Sequence, residues 1–184
     1  MTDRITSASQ LTAFATLGTL LTTQDVVRTL LSHMPEADTE LVAEETLTLL
    51  SVLTARAAEA GLRSAPELAS SVIPVLQDLP FIYRDYLTAG LVLSTGDAEL
   101  AGSGEEAFLR LRRKGEFYRM HFPAGQYPSE RILEEKLEFW MGRISPPNQP
   151  DAPAQRLKRV EVLPLIRTHL HTVLARARQL ATEK

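Results

Sequence analysis

Residues 38–61 read DTELVAEETLTLLSVLTARAAEAG, and their apolar members occupy most of the circumference of an α-helix. Val42, Leu49, Leu50, Leu53, Ala57 and Ala60 leave one polar stripe, Glu40, Glu44, Thr48, Ser51 and Glu59. A helix apolar around most of its girth is stable only when neighbours cover it on several sides. The rest of the chain must supply those neighbours, and it supplies helices. Apolar residues recur at steps of three and four, no segment sustains strand alternation, and Leu91-Val92-Leu93 is too short to found a sheet. The expected fold class is all-α, a single helical bundle of about seven to eight helices.

Residues 6–22 carry Leu11, Phe14, Leu17 and Leu21 on one face, expected to point inward. Thr22 or Thr23 then caps a second short helix over 25–34, closed by Pro35. Ser64-Ala65-Pro66-Glu67 is a capping-box pattern. Pro74 and Pro80 predict kinked or separate segments at 65–79 and 81–89, with Gly90 as the stop. In the second of these, Phe81 and Tyr86 are expected to pack inward and Tyr83 to be partly exposed. Residues 94–104 read as a surface loop, and Ser103-Gly104-Glu105-Glu106 as a second capping box opening a helix to about Met120. Its core face is Phe108, Leu111, Gly115, Tyr118 and Phe122. After the turn Pro123-Ala124-Gly125-Gln126-Tyr127-Pro128, Ser129 caps a helix stopped by Gly142, burying Leu133, Leu137, Trp140 and Ile144.

This organisation divides the chain into a helical bundle domain (1–144), a Pro-rich linker (145–154) and a C-terminal helix (155–184) that packs on the bundle or on another copy. In the last segment Leu163, Ile166, Leu170, Val173, Ala177 and Leu180 step by three and four, with Pro164 beginning or kinking the helix. That is a seam of about two and a half heptads, fit either for the chain's own bundle or for an oligomer.

The formal net charge of −3 conceals a split. Residues 1–109 hold 5 basic and 15 acidic side chains, whereas 110–184 hold 15 basic and 8 acidic. The two halves pair with each other, with another copy, or with an external anion. Of the 20 basic residues 16 are Arg, the cation suited to bidentate carboxylate or phosphate contact and also one that a GC-rich bacterial genome favours. Seven of the eleven aromatics fall within 108–140, beside Arg110, Arg112, Arg113, Lys114, Arg119 and Arg131. Two readings of that segment compete. In one it is a helical hairpin whose charges are neutralised by Glu106–Arg110, Arg112–Glu116 and Arg131–Glu135 pairs, and by Arg112 and Arg119 facing a Glu130, Glu134, Glu138 stripe. In the other, Arg112, Arg113, Lys114, Tyr118, Arg119, His121, Tyr127 and Arg131 form a surface for an acidic protein partner or an anion. Arg interleaved with aromatics also suits phosphate contact and base stacking, so nucleic acid is an alternative partner, without a recognisable binding motif.

No cysteine is present, which excludes disulfides, thiolate catalysis and thiolate metal sites. His169 and His171 point about 200° apart on a helix and cannot share a metal, and no HExxH, carboxylate–His ligand pair or nucleophile elbow occurs. No metal or cofactor is expected. His121 before Phe122-Pro123 reads as a helix C-terminal residue, where its proton meets the negative end of the dipole, or as an acid–base group. The constrained 123–128 turn reads as a partner-facing loop. No apolar run reaches the ~20 residues of a membrane span and no signal-like leader opens the chain, so a cytoplasmic protein is expected. The function that best fits is that of a non-enzymatic interaction or regulatory protein, binding a protein partner or itself through the basic, aromatic C-terminal half. The alternatives are nucleic-acid binding through the same patch and a small-ligand or enzymatic pocket lined by Arg119, His121, Tyr127 and Trp140.

Overall fold

A computed structural model describes residues 2–97, 104–147 and 151–182, and in these the fold is all-α, seven helices in one bundle with no strand. In chain order they are α1 (Thr2–His33), α2 (Thr39–Gly61), α3 (Pro66–Thr95), α4 (Gly104–His121), α5 (Glu130–Ile144), α6 (Pro153–Val160) and α7 (Leu163–Thr182). As expected, α2 is the axis of the bundle. Asp38 caps it by accepting the Leu41 N–H at 3.0 Å. α1, α3, α4, α5 and α7 all pack on it. Its polar stripe is partly internal: Thr48 and Ser51 are buried, and their hydroxyls donate to the Glu44 and Leu47 carbonyls one turn back.

The closest crossing is between α2 and α7. A Cβ at Gly61 would stand 2.5 Å from the Ala177 Cβ and 2.9 Å from the Leu174 carbonyl oxygen, so only glycine admits the two backbones at that distance. Ile166, Leu170, Val173, Ala177 and Leu180 are all buried in this slot, with Leu163 at its edge. The C-terminal seam packs on the protein's own α1 and α2. Pro164 lies in the first turn of α7, where its missing N–H costs no helical bond.

Several expectations are corrected. α1 is one helix of 32 residues rather than two. Neither Thr22 nor Thr23 breaks it, because Thr23 Oγ1 donates to the Thr19 carbonyl and leaves the backbone ladder intact. Its inward stripe is Leu11, Ala15, Thr19, Thr23, Val26 and Leu30, whereas Phe14, Leu17 and Leu21 are 40, 59 and 53% exposed. Small residues win the inner face because the neighbours come close: a Cβ at Gly18 would lie 3.0 Å from the His169 ring.

α3 runs 30 residues through both Pro74 and Pro80 without a break. Val72, Leu76 and Leu79, buried on either side of Pro74 and just before Pro80, hold it in place. Its N-cap is Ala65, so Ser64 makes no capping bond, although Pro66 takes the first-turn position. Gly90 meets nothing within 4 Å and does not stop it; Gly96 does, at φ 72°, with its N–H donating to the Val92 carbonyl. Likewise Gly142 does not end α5, which continues to Ile144; Gly142 instead receives Pro153 of α6 at contact distance. Part of the linker segment, from Pro153, is the first turn of α6, while 148–150 and the Ser103 capping position lie outside the described residues.

Candidate interaction surfaces

The basic, aromatic segment does not assemble into one surface. Two of its members are internal. Lys114 and Tyr118 point into the α2–α4–α5 junction, where Glu45 is 1% exposed. Tyr118 Oη donates to Glu45 Oε2 at 2.5 Å, and Arg143 of α5 donates to both carboxylate oxygens, at 2.7 and 3.0 Å. Lys114 Nζ stands 3.3 Å from both Glu44 and Glu45, and Arg110 Nε donates to Glu44 at 3.2 Å. Burial alone would push the Glu45 carboxyl up, but the Arg143 and Tyr118 hydrogen bonds and the Lys114 charge hold it below the usual range. Burial, and next the Glu45 charge, push the Tyr118 hydroxyl far up, so it stays a donor at any working pH. Part of the sequence's charge split is thus resolved inside the chain, acidic α2 against basic α4 and α5.

The remaining candidates face different neighbours. Arg112 pairs with Glu116 at 3.1 Å and Arg131 with Glu135 at 3.9 Å, both on the surface, as the spacing predicts. Arg110 reaches across to α2 rather than to Glu106, and Glu130 is taken by Arg167 rather than by the α4 arginines. Arg113 is exposed and Arg119 half-buried against Gly115; neither pairs with a carboxylate among the described residues. His121 ends α4 as expected, its ring held between Phe117 and Phe139 at 4.5 and 4.6 Å; burial and then Lys136 keep its pKa below the ordinary value. Tyr127 stacks on His171 at 6.2 Å, while Trp140 lies wholly in the core. These side chains do not converge on a common pocket.

The 123–128 turn is constrained by its own chain. Arg56 Nε donates to the Phe122 carbonyl, the Gly125 N–H donates to Glu59, and Arg63 donates to the Gly125 carbonyl, at 2.9, 3.1 and 3.2 Å. The end of α2 clamps the turn that the sequence suggested for a partner.

A polar cluster lies inside α1, α2 and α7. Thr19 Oγ1 donates to the Ala15 carbonyl at 2.8 Å. Having spent its proton, it accepts from Thr54 Oγ1 at 2.9 Å. Thr54 in turn must accept from His169 Nε2 at 2.8 Å. The chain of donors fixes the tautomer with the proton on Nε2 and leaves Nδ1 bare beside Gly18. Burial pushes the His169 pKa down to about 4, so the ring is neutral at pH 7.

The outward surface least expected from the sequence is apolar. Two grooves run between α1 and α3. The outer one, about 1250 Å³, is lined by Ile5, Ala13, Leu17, Leu68, Val75 and Ile82, and Glu67 is its one charged lining residue. The second, about 840 Å³, lies under the last four turns of α3 and over α2, with Leu20, Leu47, Leu87, Leu91 and Leu111 in its walls. Ile5, Leu17, Ile82 and Leu91 are each at least half exposed. Tyr86, expected inward, is 76% exposed, and Phe81 is half-buried against Phe108 at 5.0 Å. Phe108, expected in the core, is itself 49% exposed. The signal for these grooves was in the sequence: α1 has more large apolar residues than one face can bury, and residues 81–93 are apolar around most of the helix apart from Arg84, Asp85 and Thr88.

Among the described residues no group of three or more His, Asp or Glu side chains is placed to hold a metal ion, and no helix is long and apolar enough to cross a membrane. The chain matches no protein-family model, no curated protein and no solved structure.

Proposed function

We propose that the protein is a helical interaction module that works by pairing with a second copy of itself through the outer face of α1 and α3. The observation that carries this reading is the outer groove, open to solvent and largely apolar, in which Ser9, Thr12, Thr16 and Ser71 are the uncharged polar lining residues and Glu67 the one charge. Residues 5–28 of α1 and 67–91 of α3 line the two grooves in matching order, so the helices run side by side in the same direction. The outer groove itself is lined from residue 5 to 20 of α1 and from 67 to 82 of α3, about 23 Å at ~1.5 Å rise per residue. Two helices about 10 Å apart over that length present roughly 450 Å², a face that two copies would bury as a small, reversible interface. A two-fold axis sets such a face against itself and asks for no opposite charge.

Light scattering of the eluting chromatographic peak tests this. A dimer is expected at micromolar concentration, undiminished at high salt, and Leu17→Glu should return a monomer with unchanged helicity. A wild-type chain that elutes as a monomer throughout would overturn the reading.

A second reading rests on Arg113 and Arg119, which pair with no carboxylate among the described residues, Arg119 being followed in the chain by exposed Met120. They would meet an acidic protein partner, in a complex that weakens with salt as exposed charge pairs do. Nucleic acid at the same arginines would show as absorbance at 260 nm that salt strips away.

A further inference from the structure

The last four turns of α3 are partly inside out. Their half-buried stripe, turned toward the bundle, is Phe81, Arg84, Thr88 and Val92, whereas Ile82, Tyr86 and Leu93 face solvent at 50, 76 and 86% exposure. Phe81 and Val92 pack inward as expected, whereas Arg84 and Thr88 hold inward positions that a helix needing only to pack would give to apolar side chains. Arg84 and Thr88 instead line the inner groove, above a floor that includes Leu20, Leu47 and Leu111.

The other charges of that groove are engaged. Arg110 is held by Glu44 and Glu40, Glu44 also by Lys114, and Arg28 lies 3.6 Å from Asp25. Arg84 pairs with no carboxylate among the described residues. Among the described residues the groove therefore offers one guanidinium without a carboxylate partner, the Tyr83 and Thr88 hydroxyls and an apolar floor, in a volume of about 840 Å³, within the ~300–1,000 Å³ typical of small-ligand sites. We infer that this inner groove binds a long-chain carboxylate, its head group on Arg84 and Thr88 and its alkyl chain along Leu20, Leu47 and Leu111. A planar guanidinium matches a carboxylate with two parallel N–H···O bonds, and a single spare positive charge matches a head group of charge −1. A cationic amphiphile of the same length would gain the apolar contact and meet repulsion at Arg84. This inference does not depend on self-pairing, which uses the outer groove.

Titration calorimetry with laurate, below its micellar concentration, tests it on the full chain, beside dodecyltrimethylammonium as the same alkyl chain with the opposite head. Laurate should bind saturably at one site per chain, and the cation at least about ten-fold more weakly. Arg84→Gln should weaken laurate about ten-fold or more with helicity unchanged. Leu91→Glu, at an exposed position of the groove wall, should do the same by repulsion, while Leu17→Glu should leave the affinity within about two-fold. No saturable laurate binding, equal binding of the cation, or an Arg84→Gln variant that binds as the parent does would each overturn the assignment. Loss of binding in Leu17→Glu with Arg84→Gln unaffected would also overturn it, by moving the ligand to the outer groove.

Discussion

Acidification should loosen this protein well above the pH at which its carboxylates protonate, and His169 is the reason. Its pKa falls from the ordinary 6.5 to about 4 because the ring is buried among α1, α2 and α7. The hydrogen-bond chain to Thr54, Thr19 and the Ala15 carbonyl uses only the Nε2 proton. A second proton on Nδ1 would face Gly18, and no carboxylate offsets the charge. The unfolded chain therefore binds a proton that the folded chain refuses between pH 6.5 and 4. Stability is full above 6.5 and declines as the pH falls through that window, by about 1.4 kcal/mol per pH step and about 3 kcal/mol in all. Against a typical total of ~5–15 kcal/mol this is a large share. Urea denaturation at pH 7 and pH 5 reads it directly: about 2 kcal/mol should be lost, moving the midpoint by about 1 M. His169→Leu removes the titrating ring yet leaves Thr54 able to donate to Thr19, so its midpoint should be nearly the same at both pH values. A wild-type midpoint equal at pH 7 and pH 5, or a leucine variant with the same acid loss as the parent, would refute the argument.

Two further outcomes follow from buried geometry. Glu45→Gln should cost about 3–5 kcal/mol, because Lys114 and Arg143 would keep their charges at a junction that no longer neutralises them; a loss below about 1 kcal/mol in chemical denaturation would show that water reaches the junction. Gly61→Ala should cost about 1–3 kcal/mol by driving a methyl into Ala177 and the Leu174 carbonyl. Adding Ala177→Gly should recover only part of that loss in thermal melts, since the carbonyl contact remains, and full recovery would show that α7 shifts freely.

The elements legible in the sequence were those whose burial is decided by large apolar side chains. α2 with its Asp38 cap, the α5 face of Leu133, Leu137, Trp140 and Ile144, and the α7 seam all stand where periodicity put them. α1 was misread because Phe14, Leu17 and Leu21 outrank Ala15, Thr19 and Thr23 in hydrophobicity. What decided the inner face was how near α2 and α7 come, and closeness favours small side chains. The prolines of α3 were read as breaks because local propensity opposes helix there, and tertiary packing at Val72, Leu76 and Leu79 prevailed. The burial of Lys114 and Tyr118 was not legible for a related reason. A sequence shows which charges exist, not which carboxylate on another helix meets them, so nothing in the spacing of Lys114 and Tyr118 pointed to Glu45. The outer groove follows from the same inversion, since periodicity places Leu17 inside and the structure turns it outward.

The bond from His169 to Thr54 joins residues 115 apart, and its contact with Thr19 spans 150. Synthesis is vectorial, so a ribosome releases α1 and α2 long before it makes α7. During that interval the Gly61 surface has no helix against it, and the Thr19 and Thr54 hydroxyls are hydrated. Contacts so distant in the chain close late, because loop entropy is lost before their reward arrives. The nascent protein therefore passes through a stage in which its future core is a wet cleft, and α7 is the wedge that dries it. A translation complex stalled before Leu163 would display α1 and α2 as a protease-sensitive pair, and the arrival of α7 would end that sensitivity in one cooperative step.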